Sequence, residues 1–285
     1  MIDKPIIVLS IVVPTLNVDY IKPLFKSFNL LTHFMECEII VINQTEISIP
    51  LETINSIPIE VKDIRHPRFS ASNARNFGSS LANGKYIFFL DDDAILVNMN
   101  SVNFQKLLTL LTIDKPEVLL LPRGELVDDK YISTWPSNEQ INIRNFPRFF
   151  IEWNMVIKKN IFIEIGGFCD IGPGSSHMAQ AGEAFVMGAT ILKRGYVISK
   201  FHMIMVAHPS LNITDINKLK SYYYGAGYAI GIVFDSFNFR EKIYWVVRLL
   251  ISSLMGCIFN GNSTVLKIIG FADYIKKRKP KNNLL

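Results

Sequence analysis

The chain has 285 residues, enough to bury a substantial core as one large α/β domain or as one domain with an appendage. Hydrophobic residues make up 49% of it, which is high for a freely soluble enzyme, and its formal net charge is +5. Its three cysteines, Cys37, Cys169 and Cys257, are far apart and lack CxxC or Cys/His spacing. This pattern excludes a disulfide or zinc framework and fits a reducing compartment.

The first 97 residues alternate strands with helical or loop connections. Predicted strands are Ser10 to Pro14, Glu38 to Ile42, Ile59 to Ile64 and Tyr86 to Leu90, and Ser70 to Leu81 is a predicted helix. This repetition predicts a mostly parallel sheet with right-handed crossovers. The switch point of such a sheet would bring the polar residues after the first, second and fourth strands into one crevice.

Three consecutive carboxylates, Asp91, Asp92 and Asp93, follow the last of these strands. Open α/β sheets bind their ligands at this end of the strands. In an extended chain, side chains two apart share a face, so Asp91 and Asp93 are predicted to lie together and Asp92 to point away. Two hard oxygen ligands suit Mg²⁺ or Mn²⁺ shared with a diphosphate. An acidic turn or a helix cap is the structural alternative.

Residues 98 to 210 are less regular. They predict a helix near Val102 to Leu111, a strand at Val118 to Pro122, a segment from Glu152 to Lys158, and a helix from Gly182 to Arg194. The glycine-rich stretch Gly166 to Gly174 predicts a mobile loop. Such a loop closes over a substrate or serves as a plain connector.

From residue 211 the chain is helical and apolar. Ile243 to Phe259 predicts an amphipathic helix, too short and too interrupted by Arg248 to span a membrane. Lysine and arginine residues between Lys267 and Lys281 form a basic tail. We expect this region to lie on an anionic membrane surface. Packing of the helix against the main domain and a solvated tail are the alternatives, and a nucleic-acid partner is not expected because no binding motif accompanies the basic residues.

Four elements occur in a fixed order: Ser10 to Asn17, Val41 to Thr45, Ala74 to Gly78 with Phe88 to Asp93, and Gly166 to Phe168 through Gly182-Glu183 to His208-Pro209. Together they resemble the inverting nucleotide-sugar glycosyltransferases of glycosyltransferase family 2, which have the GT-A fold. The resemblance covers most of residues 8 to 210. It implies a GT-A domain at 1–210, with a donor half at 1–97 and an acceptor half at 98–210, followed by a membrane-associated helical region at 211–285.

The resemblance also implies a donor site. It assigns donor-binding roles to Pro14, Thr15, Asn17, Asn43, Arg75, Asp91 and Asp92. Asn43 stands where such enzymes usually have an aspartate that contacts the base, and an asparagine amide can still read a uracil edge. The metal ligands implied are Asp93 and Asp91, with His208 as a further candidate, and the ion is Mn²⁺ or Mg²⁺.

On the acceptor side, the resemblance implies Glu183 as the general base, with Asp170 as the alternative. Many relatives have a second acid beside this position, whereas Ala184 follows here. A carboxylate at the start of a helix is also favoured by the helix dipole, so capping is the structural alternative. Trp153 and Asn154 are candidates for an acceptor platform, and core packing is the alternative for Trp153.

The predicted function is inverting transfer of a sugar from a nucleotide sugar, a UDP-sugar by expectation, to a glycan or lipid-linked acceptor. The resemblance places it in bacterial capsule, O-antigen or exopolysaccharide synthesis, in the cytoplasm on the inner face of the membrane. One alternative is a catalytically silent scaffold or nucleotide-binding subunit, which Asn43 and Ala184 favour. Another is a nucleotidyltransferase, but the glycine-rich basic phosphate loop typical of that class is missing near the N-terminus.

Overall fold

The computed structural model describes residues 6–31, 34–127, 130–136, 139–208, 215–260 and 262–278. Within them are eleven strands: β1 (Leu9–Thr15), β2 (Cys37–Asn43), β3 (Glu60–Arg65), β4 (Tyr86–Phe89), β5 (Ile95–Val97), β6 (Val118–Leu120), β7 (Arg123–Val127), β8 (Lys130–Ser133), β9 (Met155–Lys158), β10 (Ile198–Lys200) and β11 (Met205–His208). The same residues form nine α-helices: α1 (Ile21–Lys26), α2 (Leu51–Ile54), α3 (Ala71–Leu81), α4 (Ser101–Ile113), α5 (Lys159–Glu164), α6 (Glu183–Lys193), α7 (Ile216–Val233), α8 (Phe239–Asn260) and α9 (Leu266–Arg278).

A seven-stranded central sheet has the order β10-β6-β9-β4-β1-β2-β3. All neighbouring pairs are parallel except those of β9, which runs antiparallel to both β4 and β6. β2 and β4 are buried along their whole length, as expected for strands covered on both faces. The predicted mostly parallel sheet is confirmed. Its strand boundaries differ from the prediction by one or two residues.

A second, four-stranded sheet has the order β5-β11-β7-β8 and was not predicted. Its strands are short, so they carry too little alternation to be distinguished from loops. Antiparallel pairing of β11 with β5 sets Ala207 opposite Ile95. Because β5 begins just after the three aspartates, this register brings His208 to the end of β4.

The helix α3 begins and packs as its sequence indicates. The Ser70 hydroxyl caps it by accepting a hydrogen bond from the Asn73 N–H. Gly78 lies so close to the sheet that a Cβ there would be 2.4 Å from a Val12 side-chain carbon. This close approach holds the middle of α3, one turn after Arg75, against the sheet.

The C-terminal helices pack against the main body of the fold. A Cβ on Gly225 of α7 would lie 2.5 Å from the carbonyl oxygen of Ala181, just before α6. Tyr224, Trp245 and Leu249 contribute to the same apolar core as Val186 of α6. No helix in the described part of the chain is long and apolar enough to span a membrane.

The opposite face of α8 is exposed. The predicted helix Ile243 to Phe259 lies within α8, and one of its faces packs against the main domain. The membrane-surface interpretation of its apolar residues stays a prediction. The exposed apolar residues of α8 are Phe239, Ile243, Val247, Leu250, Ile251, Leu254 and Met255. Lys279 and Lys281 of the predicted basic tail, and Pro209 of the His-Pro motif, lie outside the described residues.

Beneath the opposite end of the sheet, a buried carboxylate joins three strands. Glu38 accepts hydrogen bonds from the Ser10 hydroxyl (2.5 Å), the Lys62 ammonium (2.5 Å) and the Asn83 N–H (2.6 Å). Burial alone raises the pKa of Glu38, but these hydrogen bonds outweigh it and hold the pKa below its ordinary value. The ionised Glu38 therefore stabilises the folded state.

We expect Glu38→Gln to lower the free energy of unfolding by about 2 kcal/mol at pH 7, because buried donors lose an ionised acceptor. Since the pKa of Glu38 is depressed in the folded state, its contribution is complete above the unfolded pKa and is lost as pH falls through the folded pKa. The difference from wild type should therefore shrink below about pH 4. Urea denaturation at several pH values measures it, with Glu60→Gln on the exposed edge of β3 as control. Equal effects of the two substitutions would contradict the assignment.

Candidate active site

The aspartate cluster and a histidine from the second sheet meet at the carboxyl end of β4. The Nε2 atom of His208 lies 2.8 Å from Asp93 Oδ1 and 3.7 Å from Asp91 Oδ2. One ligand atom from each of these three residues falls within 4.8 Å of the others. All three side chains are partly exposed, so an ion could approach from the crevice. Two carboxylates and an imidazole suit Mn²⁺ or Mg²⁺.

The route by which Asp91 and Asp93 come together differs from the prediction. We expected an extended chain, but β4 ends at Phe89 and a turn follows, in which the Ala94 N–H donates to the Asp91 carbonyl (3.1 Å). The turn connects β4 of the central sheet to β5 of the second sheet. Asp92 does point elsewhere, as predicted, and its Oδ2 accepts a hydrogen bond from the Thr15 hydroxyl (2.5 Å).

The contact between Thr15 and Asp92 joins the ends of β1 and β4. Burial, opposed by the Thr15 hydrogen bond and reinforced by the charges of Asp93 and Asp91, raises the pKa of Asp92 to about 6. Thr15 also accepts from the Asn17 N–H, and Pro14 precedes it at the end of β1. The predicted donor-binding residues of β1 therefore lie against the aspartate cluster.

Arg75 is buried in the middle of the site. Its side chain is 3% exposed, and Nη2 lies 2.5 Å from Asp91 Oδ1 and 3.8 Å from Glu152 Oε1. Burial alone lowers the pKa of Arg75, but Asp91, Glu152 and Glu183 outweigh it and raise the pKa. Among the described residues, Nε and Nη1 have no hydrogen-bond partner. Buried donors of this kind favour an incoming oxygen-rich ligand.

Glu183 is the first residue of α6 and is buried, with 3% exposure. Burial, followed by the charge of Glu152, raises its pKa to about 8. Gly172 of the glycine-rich loop lies against it, and a Cβ there would be 2.6 Å from the Glu183 carboxyl carbon. The loop thus covers this carboxyl and keeps bulk water from it.

Glu152 is a site residue that the sequence interpretation missed. It lies in the short turn Glu152–Asn154 before β9, and β9 pairs with β4. Burial raises its pKa, and the nearby Arg75 offsets part of that rise. The available signal was a lone acid in the apolar run from Phe149 to Trp153, because a buried acid requires a cationic partner.

The predicted acceptor residues occupy different environments. The Trp153 ring stacks on His208 with ring centroids 5.6 Å apart and planes 20° apart, so Trp153 forms a wall of the site. Asn154 is fully buried and donates to the carbonyls of Leu121 (2.8 Å) and Phe149 (2.9 Å). Its hydrogen bonds hold the turn that carries Glu152 and Trp153.

Two further predicted residues bond within the protein. The Asn43 amide donates to Asp63 (3.0 Å) and to the Ile47 carbonyl (2.8 Å), and it accepts from Thr45. Asp170 is exposed and accepts from Ser70 and Asn73 at the start of α3. These contacts organise the loop after β2 and the first turn of α3. The donor role of Asn43 and the alternative base role of Asp170 stay predictions.

Tyr222 of α7 was not predicted as a site residue. Burial, followed by the charges of Glu183, Glu152 and Asp91, raises the pKa of its hydroxyl. Tyr222 lies three residues before Gly225, which contacts the segment preceding α6. No local sequence signal marks it, because its position depends on how α7 packs against α6.

The sheet order, the acidic turn after β4 and the buried acid at the start of α6 define a GT-A fold. Residues 10–169, more than half of the chain, match the family described as glycosyl transferase family 2, so the chain belongs to this family. Both the predicted family and the predicted fold are confirmed. No curated protein matches the chain at a significant level.

Solved structures of S. aureus TarS have a similar fold. TarS 1–349 aligns over 95% of this chain and 80% of its own, with a TM-score of 0.68 and 15% identity. A longer TarS structure aligns over 96% of this chain, with a TM-score of 0.65 and 14% identity, and this chain spans 50% of its length. TarS 1–349 in complex with UDP-GlcNAc aligns over 95% of this chain and 81% of its own, with a TM-score of 0.65 and 14% identity.

We expect Gly172→Ala to destabilise the protein more than Gly174→Ala. Both glycines have positive φ (102° and 78°), so each alanine carries a backbone cost of about 1–2 kcal/mol. Only at position 172 does the new Cβ also meet the Glu183 carboxyl, which adds about 1–3 kcal/mol. Urea denaturation compares the two. Equal losses would show that Gly172 does not contact Glu183.

Proposed function

We propose that the protein transfers a sugar from a UDP-sugar to a hydroxyl of a glycan or lipid-linked acceptor, with inversion at the anomeric carbon. The observation that carries this proposal is the meeting of Asp91, Asp93 and His208 beside the buried acid Glu183. The complex of a TarS structure with UDP-GlcNAc, and that of another with UDP, supports a uridine donor. We infer a role in bacterial surface polysaccharide synthesis, such as that of capsule, O-antigen or exopolysaccharide.

A divalent ion fits the donor set at the end of β4. Asp93, Asp91 and His208 would hold Mn²⁺ or Mg²⁺, because hard carboxylate oxygens and one imidazole are acceptable ligands to both. Such an ion supplies Lewis-acid neutralisation of the diphosphate. The unpaired N–H groups of Arg75 would bind diphosphate or sugar oxygens next to it.

Glu183 would act as the general base. Its carboxylate takes the proton of the acceptor hydroxyl while that oxygen bonds to the anomeric carbon and the bond from that carbon to the diphosphate oxygen breaks. Attack from the face opposite the diphosphate inverts the configuration, and the nucleoside diphosphate leaves. Burial by Gly172 and its neighbours would exclude water from competing with the acceptor.

The exposed face of α8 supports a membrane-bound setting. Its apolar residues form a stripe on the outside of the protein, with Arg240 and Lys276 exposed on α8 and α9. A helix with one apolar exposed face and nearby cations is suited to the surface of an anionic bilayer. We infer that the protein is peripheral on the cytoplasmic face of the membrane, where a lipid-linked acceptor would be presented.

We expect UDP to bind tightly only in the presence of Mn²⁺, and Asp93→Asn to weaken this binding by about 100-fold, because the ion loses a carboxylate ligand. Calorimetric titration of UDP, GDP and dTDP, with and without Mn²⁺, measures it. Asp114→Asn, at an exposed position at the end of α4, is the control. Binding of none of the three nucleotides would favour the scaffold alternative.

We expect Glu183→Gln to reduce sugar transfer by about 10²–10⁴-fold while UDP binding is retained, because only proton transfer is removed. In wild type, the base must be ionised, and a pKa of about 8 for Glu183 means that kcat/KM falls as pH drops below about 8. Hydrolysis of the UDP-sugar and transfer to added glycans measure both effects. Asp170→Asn tests the alternative base, and full activity of Glu183→Gln would overturn the mechanism.

A further inference from the structure

A cavity of about 260 Å³ lies behind the helix that carries Glu183, between α6, α7 and α8. Gly182 and Phe185 form its wall on the α6 side, and Trp245, Arg248 and Lys267 line it from the C-terminal helices. It is separate from the crevice that contains the aspartate cluster. None of the residues that line it is acidic.

Two cations, Arg248 and Lys267, line this cavity. Arg248 is exposed and donates to the Tyr244 hydroxyl (2.9 Å), and Lys267 lies over the Tyr223 ring, 5.0 Å from its centroid. In the described part of the chain, neither Arg248 nor Lys267 forms an ion pair with a carboxylate. Burial, together with the charge of Arg248, lowers the pKa of Lys267. Two like charges held around one partly buried space repel each other, and an anion between them would relieve that repulsion.

A buried hydrogen-bond donor lies beside the cavity. Trp245 is 3% exposed, and its indole N–H is buried without a partner among the described residues. The Arg248 guanidinium lies over the Trp245 ring, 5.5 Å from its centroid, so the cation and the indole are held together. A buried unpaired donor is costly unless a ligand accepts from it. A cavity lined by cations and hydrogen-bond donors, with no acidic residue in its lining, is typical of a phosphate-binding site.

This cavity is continuous with the exposed face of α8. Arg248 and Ser252 line both the cavity and a shallow apolar groove formed with Ile243, Val247 and Ile251. Leu250 and Leu254 extend the apolar surface along the same helix. A ligand that fills both spaces must have an anionic group joined to an apolar chain.

We propose that this cavity binds the phosphate-bearing headgroup of an anionic membrane lipid, whose acyl chains lie along the exposed face of α8. The inference deepens the membrane setting of the proposed function and rests on it. The bound headgroup would contact Gly182, the residue before Glu183. The membrane would thus meet the protein at the back of the helix that carries the base.

Vesicle sedimentation tests the site. Full-length protein is mixed with vesicles of phosphatidylcholine alone or of phosphatidylcholine with phosphatidylglycerol. We expect preference for the anionic vesicles, and a loss of about 30-fold in that affinity for Arg248→Gln with Lys267→Gln, since each cation contributes about fivefold. Lys26→Gln with Lys106→Gln removes the same charge from exposed positions on α1 and α4. It should lose at least tenfold less, and equal losses in the two double variants would overturn the cavity site.

Inorganic phosphate separates the two sources of the anion. Phosphate is titrated into the protein, and the change in tryptophan fluorescence is compared with that of Trp245→Phe. Vesicle preference that depends on the cavity supports the lipid source. A phosphate response that disappears in Trp245→Phe, without vesicle binding, overturns the lipid source in favour of free phosphate, and no response to either probe overturns the site.

Titration of UDP with Mn²⁺ on the same proteins keeps this test apart from the donor site. Arg248, Lys267 and Trp245 lie outside the aspartate crevice, so we expect their variants to bind UDP as wild type does. Intact UDP binding with no cation-dependent vesicle binding would reject the lipid site alone. If the wild-type protein does not bind UDP with Mn²⁺, the proposed donor is rejected instead.

Discussion

The Arg75 guanidinium is the interaction on which the site depends. It is buried among the carboxyl groups of Asp91, Glu152 and Glu183, which come from three separate parts of the chain. Burying carboxylates without a cation would be costly, and the usual response is protonation. Arg75 pairs with Asp91, whereas burial, followed by the charge of Glu152, raises the pKa of Glu183 to about 8.

The fold brings these groups together by geometry. The parallel strands β1, β2 and β4 end at one edge of the sheet, where Thr15 and the aspartates meet. The antiparallel strand β9 starts at that edge, so the turn before it delivers Glu152 and Trp153. Pairing of β11 with β5 adds His208. The antiparallel strand β9 and the second sheet therefore add Glu152, Trp153 and His208, which the parallel strands alone would not supply.

Sequence patterns predicted the features that depend on neighbouring residues along the chain. β1, β2 and α3 follow from apolar runs, polar strand ends and the Ser70 cap, and the aspartate cluster follows from its place after β4. Glu152, Tyr222 and the second sheet were missed because each depends on contacts between distant residues. The hydrogen bonds that Asn43 and Asn154 make within the protein were not predicted either, because their partners are fixed by the fold. The ligand-binding roles of both residues stay predictions. The hydrogen-bond partner of a polar side chain cannot be predicted from the sequence until the fold is known.

The C-terminal helices connect the two sides of the molecule. α7 approaches Ala181 through Gly225, while α8 packs Trp245 against α6 and leaves its other face exposed. Because α6 begins with Glu183 and Gly182 lines the cavity, the N-terminus of α6 lies between the carboxyl cluster and the cavity lined by Arg248 and Lys267. A surface that orders α7 and α8 would therefore also order the helix that begins with Glu183. In the proposed function, membrane attachment and acceptor access would both depend on this packing.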